Sequence, residues 1–451
     1  MNKQFDTTPQ RQTIDTLITP KWMVTLNAQD EVLEGYSLAI HEHQILAILP
    51  AEEAGKRFHP QNHVNLPEHA LLPGLINAHG HSAMSLFKGM ADDLALMDWL
   101  TNHIWPAEST FVNEEFVRDG TLLAIAEMLK TGTTFFSDMY FYPNIAAEVA
   151  NQQKIRTQIC FPILDFPTAW ASGPDEYIHK GLEVLSQYKN NRYVKVAFGP
   201  HAPYTVSDAP LSKILTLAEQ LDSKIQIHLH ETAFEVQEAI QKTGKRPLAR
   251  LKEMGLVSPN LQCVHMTQIE EEDLHTLSEA GAHVIHCPES NLKLASGICP
   301  VHTLMQRGIN VALGTDGSSS NNNLDMFEEM RTAALLAKAV SGDASALCAR
   351  DALKMATING ARAIGVEQFT GTLEVGKWAD LIAVDLGQIE HQPVYDPVSH
   401  LVYCASGKDV THSWIGGKQH LKDRQLTMID SIHLAQKARH WAERIKQRPT
   451  R

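Results

Sequence analysis

His79 and His81 stand one residue apart in LLPGLINAHGHSAMSLFKG, directly after the apolar run 71–76. In a strand, residues i and i+2 share a face, so the two imidazoles project side by side. Such a pair either binds a metal or is two satisfied polar residues at a strand end, and the spacing alone does not separate these readings. Other chemistry-bearing residues sit in the same relation to apolar runs. His201 closes VKVAFGPH, and KIQIHLHE brings His228, His230 and Glu231. His265 ends LQCVH, His286 ends HVIH, and Asp316 follows INVALGT. Histidines scattered through a core would not select strand ends so consistently.

Three imidazole nitrogens and one carboxylate suit a borderline divalent ion such as Zn²⁺, or Fe²⁺, with a position left open for water. Such an ion lowers the pKa of its water towards about 7 and makes it a nucleophile. One carboxylate can then take the water's proton, and a second carboxylic acid can protonate the leaving side of a substrate. Asp316 and Glu231 fit these two roles.

The elements that must position these groups are legible as alternating texture. Counting LLPGLINAHGH first, eight apolar strand-like runs occur between about residues 70 and 316: GTTFFSDMY, IRTQICFPILD, VKVAFGPHAPY, KIQIHLHE, LQCVHM, HVIHCPESN and INVALGTDGSS follow it. The linking segments, such as DAPLSKILTLAEQLDS, carry apolar positions three and four apart, as amphipathic helices do. Eight βα units in series predict a (β/α)8 TIM-like barrel, in which functional residues gather at the C-terminal ends of the strands. Strand-like runs also occur at both chain ends, in TLITPKWMVTLN and YSLAIHEHQILAILP and again in GTLEVGKWADLIAVDL. The expected organisation is a small β-sandwich formed by residues 1–68 and 371–451, flanking a catalytic barrel of residues 69–370. The last stretch, SIHLAQKARHWAERIKQRPTR, predicts a basic amphipathic surface helix.

Composition bounds the partners. Of 451 residues, 43% are hydrophobic and 20% charged, which is the balance of a globular protein with a large core. A net charge of −13 argues against nucleic acid as a partner. No basic-then-apolar leader and no 18-residue uncharged apolar run stand out, so a cytoplasmic protein without a membrane partner is expected. The six cysteines, Cys160, Cys263, Cys287, Cys299, Cys348 and Cys404, form no CxxC pair and are expected to be reduced.

The segments PGLINAHGHSAMSLFKG, GPHAPYTVSD, IHLHET, VHMTQ, HCPESNLKLASG and GTDGSSSNNNLDM resemble the amidohydrolase superfamily, most closely its 5′-methylthioadenosine/S-adenosylhomocysteine deaminases and the neighbouring chlorohydrolase-like proteins. The resemblance runs over nearly the whole chain. It implies His79, His81, His228 and Asp316 as ligands of one divalent ion, most simply zinc. It implies Glu231 as the acid that protonates a purine ring nitrogen, His265 as the group that orients the attacking water, and Asp316 as the base. His201 then contacts the substrate, Trp99 walls the pocket, Glu108 accepts the ribose hydroxyls, and Ser320 lines the thioether end. It further implies a small-molecule nucleoside substrate and a homo-oligomer. His230, His283, His286 and Asp138 are expected to be structural.

Two departures refine the expectation. The bridging lysine of two-metal relatives has no counterpart, since Lys195 lies too early in its strand, so one ion is expected. CFPILDFPTAW lacks the arginine that some relatives offer an amino-acid carboxylate, which favours an apolar methylthio group packed among Phe161, Pro162 and Phe166. Hydrolysis of an s-triazine or deamination of a free base such as guanine remains the alternative chemistry for the same site, with a metal-free scaffold as the non-enzymatic one. The HxE…PCxxC deaminase class is excluded, because the chain contains no PCxxC.

Overall fold

The computed structural model describes residues 11–447. Eight parallel strands follow one another in chain order around a single sheet: Leu75–Asn77, Thr133–Asp138, Arg156–Ile163, Val194–Pro200, Ile225–Leu229, Leu261–His265, His283–His286 and Asn310–Leu313. The second, third, fifth and sixth are buried along their whole length, as strands covered on both faces must be. This is the (β/α)8 barrel read from the alternating texture.

Between the first and eighth strands the ring closes through a few specific bonds. Ala78 N–H donates to Leu313 O at 2.9 Å, and Asp316 N–H donates to His79 O at 3.1 Å. The Asn77 side chain completes the seam, donating to Thr315 Oγ1 at 2.7 Å and accepting Thr315 N–H at 3.0 Å. Here the backbones approach so closely that a Cβ on Gly314 would lie 2.8 Å from His79 N, so only glycine fits.

Both chain ends contribute to a second, nine-stranded sheet. Strand Phe58–Pro73 is its joint: it runs parallel to Gln12–Val24 and antiparallel to Leu381–Asp385, pairing Pro73 with Leu381. Only Gly74 separates this strand from the first barrel strand. A buried ion pair couples the two sheets. Arg156 of the third barrel strand donates to Asp380 through Nε at 2.5 Å and Nη2 at 3.0 Å, and its guanidinium lies 3.7 Å from the centre of the Trp378 ring. The helix Ser431–Lys446 is amphipathic as expected and is docked by Trp441, which packs edge-on against Phe116 and donates its indole N–H to Asp119. Residues 448–451 of the same stretch lie outside the described range. All six cysteines are free, four of them buried. No described helix is long and apolar enough to cross a membrane.

Candidate active site

The C-terminal ends of the barrel strands converge on one point. His79 Nε2, His81 Nε2, a nitrogen of His228 and an oxygen of Asp316 offer donor atoms that all lie within 4.8 Å of one another. Asp316 Oδ1 is 3.1 Å from His81 Nε2 and 3.6 Å from His79 Nε2. The backbone bends sharply just beyond or at these strand ends: His230, His265 and Asp316 have φ of 52°, 77° and 60°. Left-handed conformations cost energy in residues with a Cβ and persist where the surroundings over-determine them.

Each of the three imidazoles is held by its other nitrogen. Nδ1 of His79 faces Gln226 Oε1 at 2.8 Å, that of His81 faces the Met139 carbonyl at 2.6 Å, and that of His228 faces the His201 carbonyl at 2.7 Å. All three partners are acceptors, so the network assigns the proton to Nδ1 and leaves Nε2 as a lone pair. Nε2 of His79 is buried and has no hydrogen-bond partner. An orphaned buried nitrogen among three pre-aligned donors is what a divalent ion would satisfy. The electrostatics agree. Against the pull of burial, Asp316 holds His81 up to about 9, and the two imidazoles hold Asp316 well below the usual carboxylate range despite its own burial. The site asks for a positive charge.

Around this cluster lies a cavity of about 490 Å³. Glu231 and His265 line it, with Glu231 Oε2 3.8 Å from His265 Nε2. Burial, reinforced by the negative charge of Asp316, pushes the Glu231 carboxyl up to about 8, so it carries a proton at neutral pH. Its backbone is clamped by Glu235, whose carboxylate accepts Glu231 N–H at 2.7 Å and His230 N–H at 3.0 Å. Glu235 sits in the first turn of helix Ala233–Thr243, whose start is capped by Thr232. His201 also lines the cavity, and burial together with the nearby His81 and His79 lowers it to about 4, so it is neutral.

Glu108 and Trp99 come from one segment, whose stretch Trp99–Ile104 is a π-helical turn. Such turns cluster at functional sites, where the extra residue re-aims its neighbours. Glu108 accepts Tyr140 O–H at 2.7 Å, and burial raises its carboxyl to about 7 against that bond's opposing effect. The Trp99 indole N–H is buried without a partner.

Two residues lie elsewhere than expected. Ser320 is not in the cavity wall; the turn 317–320 folds back and its hydroxyl donates to Asp316 Oδ2 at 3.1 Å. Phe161 packs against Phe198 and Gly181 behind the barrel wall, whereas Pro162 and Phe166 line the cavity. Alternation explains this, since consecutive strand residues face opposite sides and Phe161 and Pro162 cannot both point inward. His230 uses both ring nitrogens inside the fold, one facing Gln268 O and the other accepting Leu248 N–H. His283 pairs with Asn310, and Asp138 accepts Ser82 N–H. His286 is buried outside the cavity wall and lowered by burial to about 3. Lys195 is exposed and reaches the Gly365 carbonyl, away from the cluster. Gln226, Tyr140, Ser290 and Asn291 were not anticipated. Only the inward phase of Gln226, two residues before His228, was a visible signal.

Residues 70–420 match the model of the amidohydrolase family. The chain belongs to the amidohydrolase family. Among amidohydrolases it is 51% identical over 432 residues to a protein of Saccharophagus degradans named 5-methylthioadenosine/S-adenosylhomocysteine deaminase, covering 96% of this chain and 97% of that one. A protein of the same name from Teredinibacter turnerae is 50% identical, covering 96% and 98%. A solved structure described as an adenosine deaminase from Xanthomonas campestris with bound zinc superposes with a TM-score of 0.96 at 47% identity, covering 97% of this chain and all of that one. The atrazine chlorohydrolase TrzN from Arthrobacter aurescens, also complexed with zinc, superposes at 0.87 with 21% identity over 95% of this chain and 100% of its own, which is a likeness of fold.

Proposed function

We propose that this amidohydrolase is a mononuclear metal-dependent deaminase of 5′-substituted adenosines, with 5′-methylthioadenosine as its preferred substrate. The observation that carries the reading is the set of three aligned imidazoles and Asp316 beside the buried carboxyl of Glu231, whose burial favours its protonated form. Near-full-length relatives at about half identity that bear the name of this activity support it.

His79, His81, His228 and Asp316 would hold the ion, with zinc supported by the bound zinc of the Xanthomonas structure. The ion, when bound, supplies the Lewis acidity that brings a water's pKa towards about 7. His265 Nε2, directed into the cavity, would orient the attacking water, and Asp316 would accept its proton. As the water oxygen bonds to C6 of the adenine ring, Glu231 delivers its proton to the adjacent ring nitrogen. The proton on Asp316 would then pass to the C6 amino group, the C–N bond break and ammonia leave, while the C6 hydroxyl becomes the carbonyl of the hypoxanthine product and its proton returns to Glu231. One water is consumed and one ammonia released.

Glu108 favours a riboside over a free base or a triazine. A buried carboxylate kept at hydrogen-bonding reach by Tyr140 suits two adjacent hydroxyls, which neither guanine nor an s-triazine offers. Among the described residues, the cavity wall contains no lysine or arginine, while Pro162, Leu164 and Phe166 contribute apolar surface. A methylthio group is therefore accommodated more readily than the charged tail of S-adenosylhomocysteine, whose carboxylate would be desolvated without a cation. On family resemblance we extend the reading to a cytoplasmic, homo-oligomeric enzyme.

The test is ammonia release by zinc-loaded protein from methylthioadenosine, S-adenosylhomocysteine, adenosine, guanine and an s-triazine. Turnover of methylthioadenosine above the others supports the reading, and silence on every 5′-substituted adenosine defeats it.

A further inference from the structure

The seventh barrel strand lies between the sixth, which ends in His265, and the eighth, which precedes Asp316. The helical turn Pro288–Lys293, reached one residue after the seventh strand ends, is thus placed to touch both neighbours at once. It does so with consecutive side chains. Ser290 Oγ donates to Asp316 Oδ2 at 2.6 Å, and Asn291 Oδ1 accepts the Nδ1 hydrogen of His265 at 2.8 Å. Both residues are buried, at 0% and 2% exposure.

We propose that Ser290 and Asn291 are positioning residues, one fixing the rotation of the Asp316 carboxylate and the other the ring of His265. The assignment rests on the deaminase reading for what the two clients do, but its geometry stands apart from it.

Asp316 Oδ1 faces His79 and His81 and also accepts Gly317 N–H at 2.8 Å. Oδ2 is drawn the other way, by Ser290 and by Ser320. Opposed pulls on its two oxygens set the plane of the carboxylate, and with it the direction in which Oδ1 presents a lone pair to an ion. Ser290 makes the shorter of the two bonds to Oδ2. On the other side, His265 would be free to turn about its own axis without Asn291. Held, it keeps Nε2 directed into the cavity near Glu231. Asn291 Nδ2 is buried without a partner, so the amide is retained at a cost that its oxygen alone justifies, because an apolar side chain of similar size would fill the space without leaving a donor unpaired. The turn is itself held: Asn291 N–H donates to Cys287 O, and Glu289 N–H reaches Glu329 Oε2 on helix Met326–Ser341.

The two roles separate experimentally because Asp316 would be a metal ligand and His265 would not. Zinc affinity by chelator competition, steady-state deamination of methylthioadenosine and thermal melting are measured on full-length Ser290→Ala, Asn291→Leu and Asn291→Asp. Ser290→Ala is expected to weaken zinc binding about 10-fold or more and to lower kcat. Asn291→Leu is expected to leave zinc affinity within about twofold while lowering kcat about 10- to 100-fold, with KM little changed. Asn291→Asp, which keeps an acceptor at the same reach, recovers most of that loss. Should Ser290→Ala melt below the assay temperature, Ser290→Cys replaces it, with similar volume and a weaker donor. The proposal is overturned if zinc affinity is unmoved in the Ser290 variant, or if Asn291→Leu keeps its kcat, or if Asn291→Asp is as impaired as Asn291→Leu. If the unmodified protein deaminates nothing, the functional reading fails by itself; the zinc titration still decides Ser290, and the His265 ring orientation in a crystal structure of Asn291→Leu decides Asn291.

Discussion

Gln226 accepts the Nδ1 hydrogen of His79 on its Oε1, at 2.8 Å. The other half of the amide is already committed, since Nε2 donates to Ala78 O at 3.0 Å and to Gln262 Oε1 at 2.7 Å. Gln262 in turn exchanges hydrogen bonds with Gln158 and donates to Ala363 O. Three buried amides from the third, fifth and sixth strands thus orient one another beneath the cluster, and only an oxygen is left to face His79. Gln226→Leu removes that acceptor and frees the ring. Zinc affinity measured by chelator competition is expected to fall about 10- to 100-fold, and an unchanged affinity would show that the amide layer is only packing.

Under the proposed function, Glu231 is expected to make activity fall with pH on the alkaline side. Burial and Asp316 raise its carboxyl to about 8, so the protonated acid is the major form at pH 7 and is lost as pH rises. A bound cation pulls the value back down, so the limb in kcat/KM is expected no higher than about pH 8. Glu231→Gln should abolish the limb and cost about 100-fold or more in kcat. A limb that survives the substitution would assign it to another group.

Under the proposed function, Tyr140 and Glu108 would act as a pair on the sugar. Glu108→Ala is expected to cost about 100-fold in kcat/KM on methylthioadenosine and to leave any turnover of a free purine base nearly unchanged. Tyr140→Phe should produce a smaller effect in the same direction. Equal losses on riboside and base would remove the sugar from Glu108's role.

Phe166 lines the cavity while remaining 39% exposed, so a longer polar side chain fits there without burying its charge. Phe166→Arg supplies the missing cation. The ratio of kcat/KM for S-adenosylhomocysteine to that for methylthioadenosine should rise about 10-fold. A ratio that does not move would place the substrate's tail against another wall.

Arg156 and Asp380 are almost wholly buried, and Asp380 also accepts Gly416 N–H. Asp380→Ala leaves a guanidinium in the interior with no carboxylate. Unfolding in urea should show a loss of about 3–5 kcal/mol. A much smaller loss would mean that water or the Trp378 ring compensates for the missing partner.

The candidate site was legible because two physical regularities coincide there. His79 and His81 alternate on one strand face, and His228, His265 and Asp316 each close an apolar run in a fold that gathers function at strand ends. The supports beneath them were not. Gln226 on a fully buried strand looks like any polar residue until the barrel closes and brings Gln262 and Gln158 beside it. Ser290 and Asn291 follow a strand whose own terminal histidine, His286, drew attention but stays outside the cavity. Phe161 and Pro162 were grouped by hydrophobicity alone, although the pleat sends them to opposite faces. Long-range pairing, not local composition, decides each of these.

One further property follows from the seam in the barrel. His79 and His81 stand on one lip of the ring and Asp316 on the other, more than two hundred residues away in the chain, joined there by a handful of bonds and by the snug fit at Gly314. A cation grasped by both lips would rivet the cylinder shut. The same ion would then be an architectural fastener as well as a reagent, and stripping it would loosen the ring along this one line before the remaining staves felt any change.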